Sequence, residues 1–329
     1  MALGWGIVGC GDIAYKRVAP AMVEHTGSAL SAFFSHSAQR AEEMRDRFGA
    51  SRAYSDLDGF LADDQVQAVY IASPQDRHCA ETLAAANAGK HVLCEKPMAM
   101  TAGECEQMIG ACRDNGVQLG IAYYRRWYPK ARKMKELIDS GAIGKPVRAR
   151  VLIGGRYDPA PDDWKHWRVT DAAGGGALMD VGSHRLDLIC YLLGQPSKVA
   201  GLASNLVMPY NAPDTESLLC DMASGCHVTC GCQWNLPVGH DEMEIHGTEG
   251  SLVATPFDGE SLVLRGGGQD RAIELEPRAA NVHYPLVASF AERVAAGQAP
   301  EFNGVDGMQA TRIIHGAYRS SHSGAWEQA

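Results

Sequence analysis

Three groups of residues in this 329-residue chain have types and spacings that can do chemistry. The first is Gly9-Cys10-Gly11-Asp12-Ile13-Ala14, a G-x-G-x-x-G/A pattern with alanine in the third place. Gly9 permits a tight turn, and Gly11 lets a pyrophosphate approach the backbone. Ala14 keeps helix and strand close, and a helix N-terminus offers its N–H groups to phosphate oxygens. The second group is Cys94-Glu95-Lys96-Pro97. A lysine at a strand's carboxyl edge can hydrogen-bond a reacting hydroxyl or carbonyl, and the following proline holds Lys96 extended. The third is Asp180 with His184, four residues apart at a helix start and so on one face. A carboxylate beside an imidazole can orient it for general acid–base work, though the same spacing also suits a plain surface pair. Gly174-Gly175-Gly176 just before permits close backbone approach, which favours the functional reading.

The elements that must position these groups follow from hydrophobic pattern. Residues 1–122 alternate strand-like and helical runs: strands at 3–8, 29–34, 67–72, 91–94 and 117–121, helices at 12–25, 38–48, 76–88 and 102–115. Nearly continuous apolar strands in β-α repeats predict a doubly wound parallel sheet, a Rossmann arrangement, with helices on both faces. After Ala122 the rhythm changes. Residues 127–140 and 179–193 read as helices, 147–153 as a strand, and 198–275 as several strands separated by turns. Residues 283–296 and 305–319 again read as helices. The expectation is an N-terminal α/β domain over 1–122 and a C-terminal α+β domain over 123–329, built on a largely antiparallel open sheet.

The end of the second strand bears on which dinucleotide fits. An NAD site usually carries Asp or Glu there for the ribose 2′-hydroxyl. Ser31 to Ser37 contains no carboxylate, whereas Ser35, His36 and Arg40 can donate to a 2′-phosphate. NADP(H) is therefore expected over NAD(H).

Composition excludes several classes. Thirty Lys+Arg against 39 Asp+Glu give a net charge of −9, without basic clusters, so nucleic acid is not an expected partner. No apolar run reaches membrane-spanning length, and no basic and apolar leader pattern precedes Leu3. Ten scattered cysteines suit free thiols in a reducing cytoplasm. Cys226, Cys230 and Cys232 with His227 suggest a metal at first sight, but the cysteines alternate along a strand with Val228 and Trp234, so no metal is expected. Gly266-Gly267-Gly268 lacks a strand-to-helix context and reads as a hairpin loop.

Taken together the motifs resemble the Gfo/Idh/MocA oxidoreductases. The resemblance rests on the Gly9–Ala14 turn, Ile71-Ala72-Ser73-Pro74 with His78, and Ala88-Gly89-Lys90-His91-Val92-Leu93-Cys94-Glu95-Lys96-Pro97. It extends through Gly174 to His184 and His246-Gly247-Thr248-Glu249-Gly250, in family order. Gln75 departs from an asparagine frequent in the family. The resemblance implies hydride transfer between a nicotinamide and a carbon of a cyclic sugar, polyol or keto-sugar. It implies that Gly9, Gly11, Asp12, Ile13, Ser73, Pro74, His78, Glu95 and Lys96 meet the cofactor, and that Lys96, Asp180 and His184 form the catalytic set. It also implies an open sheet face used for homodimers or homotetramers. Tyr123, Trp167 and Arg168 offer aromatic faces and a guanidinium fork suited to sugar hydroxyls, beside His184. A redox-neutral glycosidase of the same fold, or a non-catalytic dinucleotide sensor, are the competing readings.

Overall fold

Strand β1 (Leu3–Val8) is buried over all six residues, as an apolar run at the centre of a parallel sheet must be. The computed structural model describes residues 2–163, 165–170 and 174–329. β1 pairs in parallel with β2 (Ser28–Phe34) on one side and β4 (Ala68–Ile71) on the other. β5 (His91–Cys94) and β6 (Leu119–Ile121) extend the sheet beyond β4. A short β3 (Arg52–Tyr54) pairs with β2 and completes the order β3-β2-β1-β4-β5-β6. The chain therefore reverses direction across the sheet between β1 and β4. Open α/β sheets bind ligands at such a point, outside the carboxyl ends of the strands.

The sequence alternation predicts five of these six strands. β3 and the helix after it, α3 (Leu57–Leu61), are three and five residues long, too short to display a period. The helix expected over 12–25 is a π-helical turn, Ala14–Val18, running into α1 (Ala19–Glu24). α2 (Ala38–Phe48) is capped by Ser37, whose hydroxyl accepts the Arg40 N–H. α4 (His78–Asn87) and α5 (Ala102–Asp114) follow β4 and β5, and a Thr101–Glu104 capping box starts α5.

The chain divides into two compact units. The first is Met1–Trp127 together with Arg278–Met308, so a segment far along the chain returns to the Rossmann sheet. It brings α8 (Tyr284–Ala295), whose Phe290 ring lies 5.4 Å from that of Trp5 on β1. Nothing in the alternation of the first 122 residues announces this addition.

The second unit is Tyr128–Pro277 with Gln309–Ala329. Its nine-stranded sheet runs β14-β13-β12-β11-β7-β10-β9-β8-β15. The members are β7 (Pro146–Arg156), β8 (Pro196–Ser204), β9 (Thr215–Met222), β10 (His227–Gln233) and β11 (Asn235–Gly247). β12 (Gly250–Ala254), β13 (Val263–Gly266), β14 (Gln269–Ala272) and β15 (Glu327–Gln328) complete it. Among the described residues of this sheet only β7 and β10 pair in parallel; every other named pair is antiparallel. Gly267 and Gly268 form the β13–β14 turn, both at positive φ. α6 (Pro129–Asp139) and α7 (Ser183–Leu193) belong to this unit, and α7 buries every residue except Tyr191. All ten cysteines are free thiols; Cys230 and Cys232 share the buried face of β10 with Val228, and Cys226 is buried just before the strand. Among the described residues no cluster of three His, Cys, Asp or Glu has metal-binding geometry, and no helix is long and apolar enough to cross a membrane.

Candidate active site

Gly9 ends β1 with φ +94°, and its N–H donates to the Phe34 carbonyl at 3.0 Å. A Cβ there would lie 2.9 Å from the backbone of Ala72 and Ser73, the turn that leaves β4. Both the left-handed backbone and the close approach demand glycine. At Gly11 a Cβ would meet nothing within 4 Å, so the turn faces open space at the start of the π-helical segment. A turn closed against the sheet behind and open in front is the cradle that a pyrophosphate needs, and the residues present fit a dinucleotide. Asp12 forms an exposed pair with Lys16 at 2.8 Å, while Ile13 packs on the core.

The β2 terminus supplies donors rather than acids. Ser35 Oγ accepts the Ser37 N–H at 3.2 Å, and the His36 ring stands edge-on to Phe34 at 5.2 Å. Burial pushes the Cys10 thiol up to about 11 against the opposing charge of Arg40, which places the Arg40 guanidinium within electrostatic reach of the glycine turn.

Beyond β4, Ser73 Oγ donates to the buried Glu81 carboxylate, whose pKa burial raises against that bond. Pro74 precedes the single 3₁₀ turn Gln75–Arg77. His78 is 1% exposed, and its two ring nitrogens face the carbonyls of Ser73 (3.0 Å) and Pro97 (2.9 Å). Burial outweighs those carbonyls and holds the ring below the ordinary histidine pKa. His78 thus braces the loop after β4 against the loop after β5, where the Lys96–Pro97 bond is cis.

Glu95 is buried beneath Lys96. Its Oε1 accepts the Tyr70 hydroxyl at 2.7 Å and its Oε2 the Lys96 N–H at 3.1 Å, and His283 Nε2 lies 3.5 Å from Oε1. Burial works to raise this carboxyl, but His283, Tyr70 and the Lys96 charge together hold it below the usual value. Tyr123, just past β6, is buried.

In the second unit, Arg168 Nη1 donates to Asp180 Oδ2 at 2.8 Å, and its guanidinium lies 5.4 Å from the Trp167 ring centre. Asp180 lies in a π-helical turn, Leu178–Gly182, that runs directly into α7; His184 is the second residue of α7 and is buried. Both π-helical turns thus fall at groups singled out by residue type, in keeping with the enrichment of such turns at functional sites.

What starts the Asp180–His184 helix is a residue that the motifs do not contain. Glu216 on β9 accepts the Leu178 N–H at 2.6 Å and the Tyr318 hydroxyl at 2.7 Å. Gly176, at φ +132°, makes room: a Cβ there would lie 3.0 Å from Glu216 Oε1. Burial pushes the Glu216 carboxyl up to about 8 against the bonds from Tyr318, Leu178 and Ala177. Its folded pKa exceeds the unfolded one, so the folded state binds the extra proton between about pH 4.5 and 8, and stability falls with rising pH across that window. Glu216→Gln keeps an acceptor for Leu178 and removes the titration. Its melting temperature should match the natural protein near pH 4.5 and exceed it by several degrees above pH 8, a difference of about 5 kcal/mol at most. Thermal melts from pH 4.5 to 9 read this directly.

Tyr70, His283, Glu216 and Tyr318 carry no signal as motifs. A tyrosine within an apolar strand and a glutamate at an inward position of β9 are the only traces, and neither names its partner.

Two family models match the chain. Residues 3–123 match the oxidoreductase family with NAD-binding Rossmann fold, and residues 131–253 match the GFO/IDH/MocA C-terminal domain. The chain is 29% identical to 1,5-anhydro-D-fructose reductase of Ensifer adhaerens, over 92% of each chain. It is 28% identical to a D-xylose 1-dehydrogenase (NADP(+)) of Haloferax volcanii, over 98% of each. Among solved structures, the aldose-aldose oxidoreductase of Caulobacter crescentus complexed with glycerol superposes with a TM-score of 0.90 at 27% identity, covering 100% of both chains.

Proposed function

From its membership, since the chain belongs to the Gfo/Idh/MocA oxidoreductases, we propose that it is a nicotinamide-dependent dehydrogenase or reductase acting on a cyclic sugar, polyol or keto-sugar, with NADP(H) preferred. The observation that carries this reading is Lys96 at the carboxyl end of β5, anchored on buried Glu95 in the same sheet as the glycine turn. When bound, the nicotinamide gives or accepts the hydride. Lys96 holds the reacting oxygen, His184 exchanges the hydroxyl proton, and Asp180, pinned by Arg168, orients its neighbours. Tyr123 in the first unit, and Trp167 and Arg168 in the second, are the side chains suited to sugar hydroxyls. The first unit serves the dinucleotide and the second the substrate. The exposed sheet face carrying Leu202, Leu219 and Trp326, with a cavity of about 670 Å³, serves a homodimer or homotetramer.

The deciding experiment is a panel of sugars, inositols and 1,5-anhydrofructose run with NADP(H) and NAD(H) in both directions, followed at 340 nm. Sugar turnover without any net absorbance change would replace this reading with a redox-neutral one.

Cofactor preference rests on Ser35, His36 and Arg40. A charge-assisted bond to a phosphate contributes about 1.5–3 kcal/mol, so Arg40→Ala should lower kcat/KM for NADP(H) by roughly 10- to 100-fold. The value for NAD(H) should stay within about twofold, because no 2′-phosphate is present to lose the contact. Equal losses with both cofactors would remove Arg40 from phosphate recognition.

A further inference from the structure

His283 is 1% exposed, immediately before α8, on the segment that returns to the Rossmann sheet. Its ring lies 4.5 Å from the Tyr124 ring and tilts 34° from it. Tyr124 is fixed from outside by Arg125, which donates to its hydroxyl at 2.7 Å. Asn281 accepts the His283 N–H at 3.1 Å and donates to the Arg17 carbonyl at 2.7 Å, so the backbone is fixed as well. Among the described residues neither ring nitrogen has a hydrogen-bond partner. One of them nevertheless stands 3.5 Å from Glu95 Oε1, about half an ångström beyond a well-formed bond. A buried imidazole with no bond is costly, and so is a buried carboxylate short of donors. The other groups acting on Glu95 are Tyr70 and Lys96.

We propose that His283 is a positioning residue: its Nε2–H closes onto Glu95 in the working protein and so fixes where Glu95 holds Lys96. This rests on the reading in which Lys96 meets the reacting oxygen. The chemistry resembles the outer partners of metal ligands, which orient a reactive group without touching substrate. Loss of the donor leaves Glu95 to pull harder on the Lys96 ammonium group.

The test compares His283→Phe, which keeps the stacked ring, with His283→Gln, which keeps an N–H donor, each alone and in a Glu95→Gln background. His283→Phe should lower kcat by roughly 10- to 100-fold, the scale of a bond to a charged group, with the cofactor KM nearly unchanged. His283→Gln should recover most of that loss. In the Glu95→Gln background the two variants should be equal, because the partner through which His283 acts is gone. A second readout needs no turnover: the rate of Lys96 acetylation by acetic anhydride, followed by mass spectrometry in the free protein. That rate should fall several-fold in His283→Phe, with exposed Lys145 as the control. The same kcat loss in both backgrounds, or an unchanged Lys96 acetylation rate, overturns the proposal. If Lys96→Met left turnover intact, the reading of Lys96 would fail, while the acetylation rate would still decide whether His283 acts on the Glu95–Lys96 pair.

Discussion

Lys96→Met is expected to lower kcat by roughly 10³-fold while changing dinucleotide affinity by no more than a few-fold. Methionine keeps the length and apolar stem of the side chain and removes its charge and its donors. The loop that carries it is held by other groups. The Lys96 N–H is held by Glu95, and the buried His78 ring fills the space between the Pro97 and Ser73 carbonyls. The glycine turn, separately anchored on Phe34, is untouched. Steady-state kinetics would report the first quantity, and quenching of protein fluorescence on dinucleotide titration the second. A kcat within tenfold of the natural protein would remove Lys96 from the chemistry. A parallel loss of cofactor affinity would make it a binding residue instead.

The contrast between Lys96 and its support shows what the sequence makes legible. The Rossmann sheet is readable because its strands are buried on both faces and appear as unbroken apolar runs, each followed by a helical period. The glycine turn and Lys96 are readable because short-range spacing relative to those strands places them at the carboxyl edge. The hairpin at Gly267 and Gly268 follows from the absence of any strand-to-helix context. β3 is not readable because a three-residue strand has no period to show.

The supporting groups are hidden for a different reason. Glu95 looks like part of a polar turn, yet it is buried, and its partners Tyr70 and His283 come from a neighbouring strand and from the returning segment. Glu216 looks like an ordinary strand residue, yet it starts the π-helical turn from across a glycine. A burial cost met by a distant partner leaves no local pattern in either residue. Asp180 and His184 show the intermediate case. Spacing places them on one face, but the ion pair to Arg168, and the π-helical turn that carries Asp180, come only with the fold.

His184→Ala is the other replacement with a large expected effect, a loss of roughly 10²- to 10⁴-fold in kcat if the imidazole carries the hydroxyl proton. Alanine is the best helix former and sits here on a helix, so α7 should persist. Removing a buried ring does leave a cavity, and a stability loss of about 2–4 kcal/mol is to be expected from that alone. The two effects separate cleanly. Stability loss changes the folded fraction and the melting temperature, whereas the missing proton carrier changes turnover of molecules that are fully folded at assay temperature. The cavity also offers a positive test, because added imidazole can occupy it and supply the same ring nitrogens. Partial recovery of kcat that saturates with imidazole concentration would assign the proton transfer to position 184. Arg168→Met should behave differently: it leaves the ring in place and removes one bond to Asp180, so kcat should fall by a smaller factor and imidazole should not restore it. Were His184→Ala to keep near-natural kcat while folded, the proton would have to travel by another group, and the role of the Asp180–His184 helix would reduce to shape.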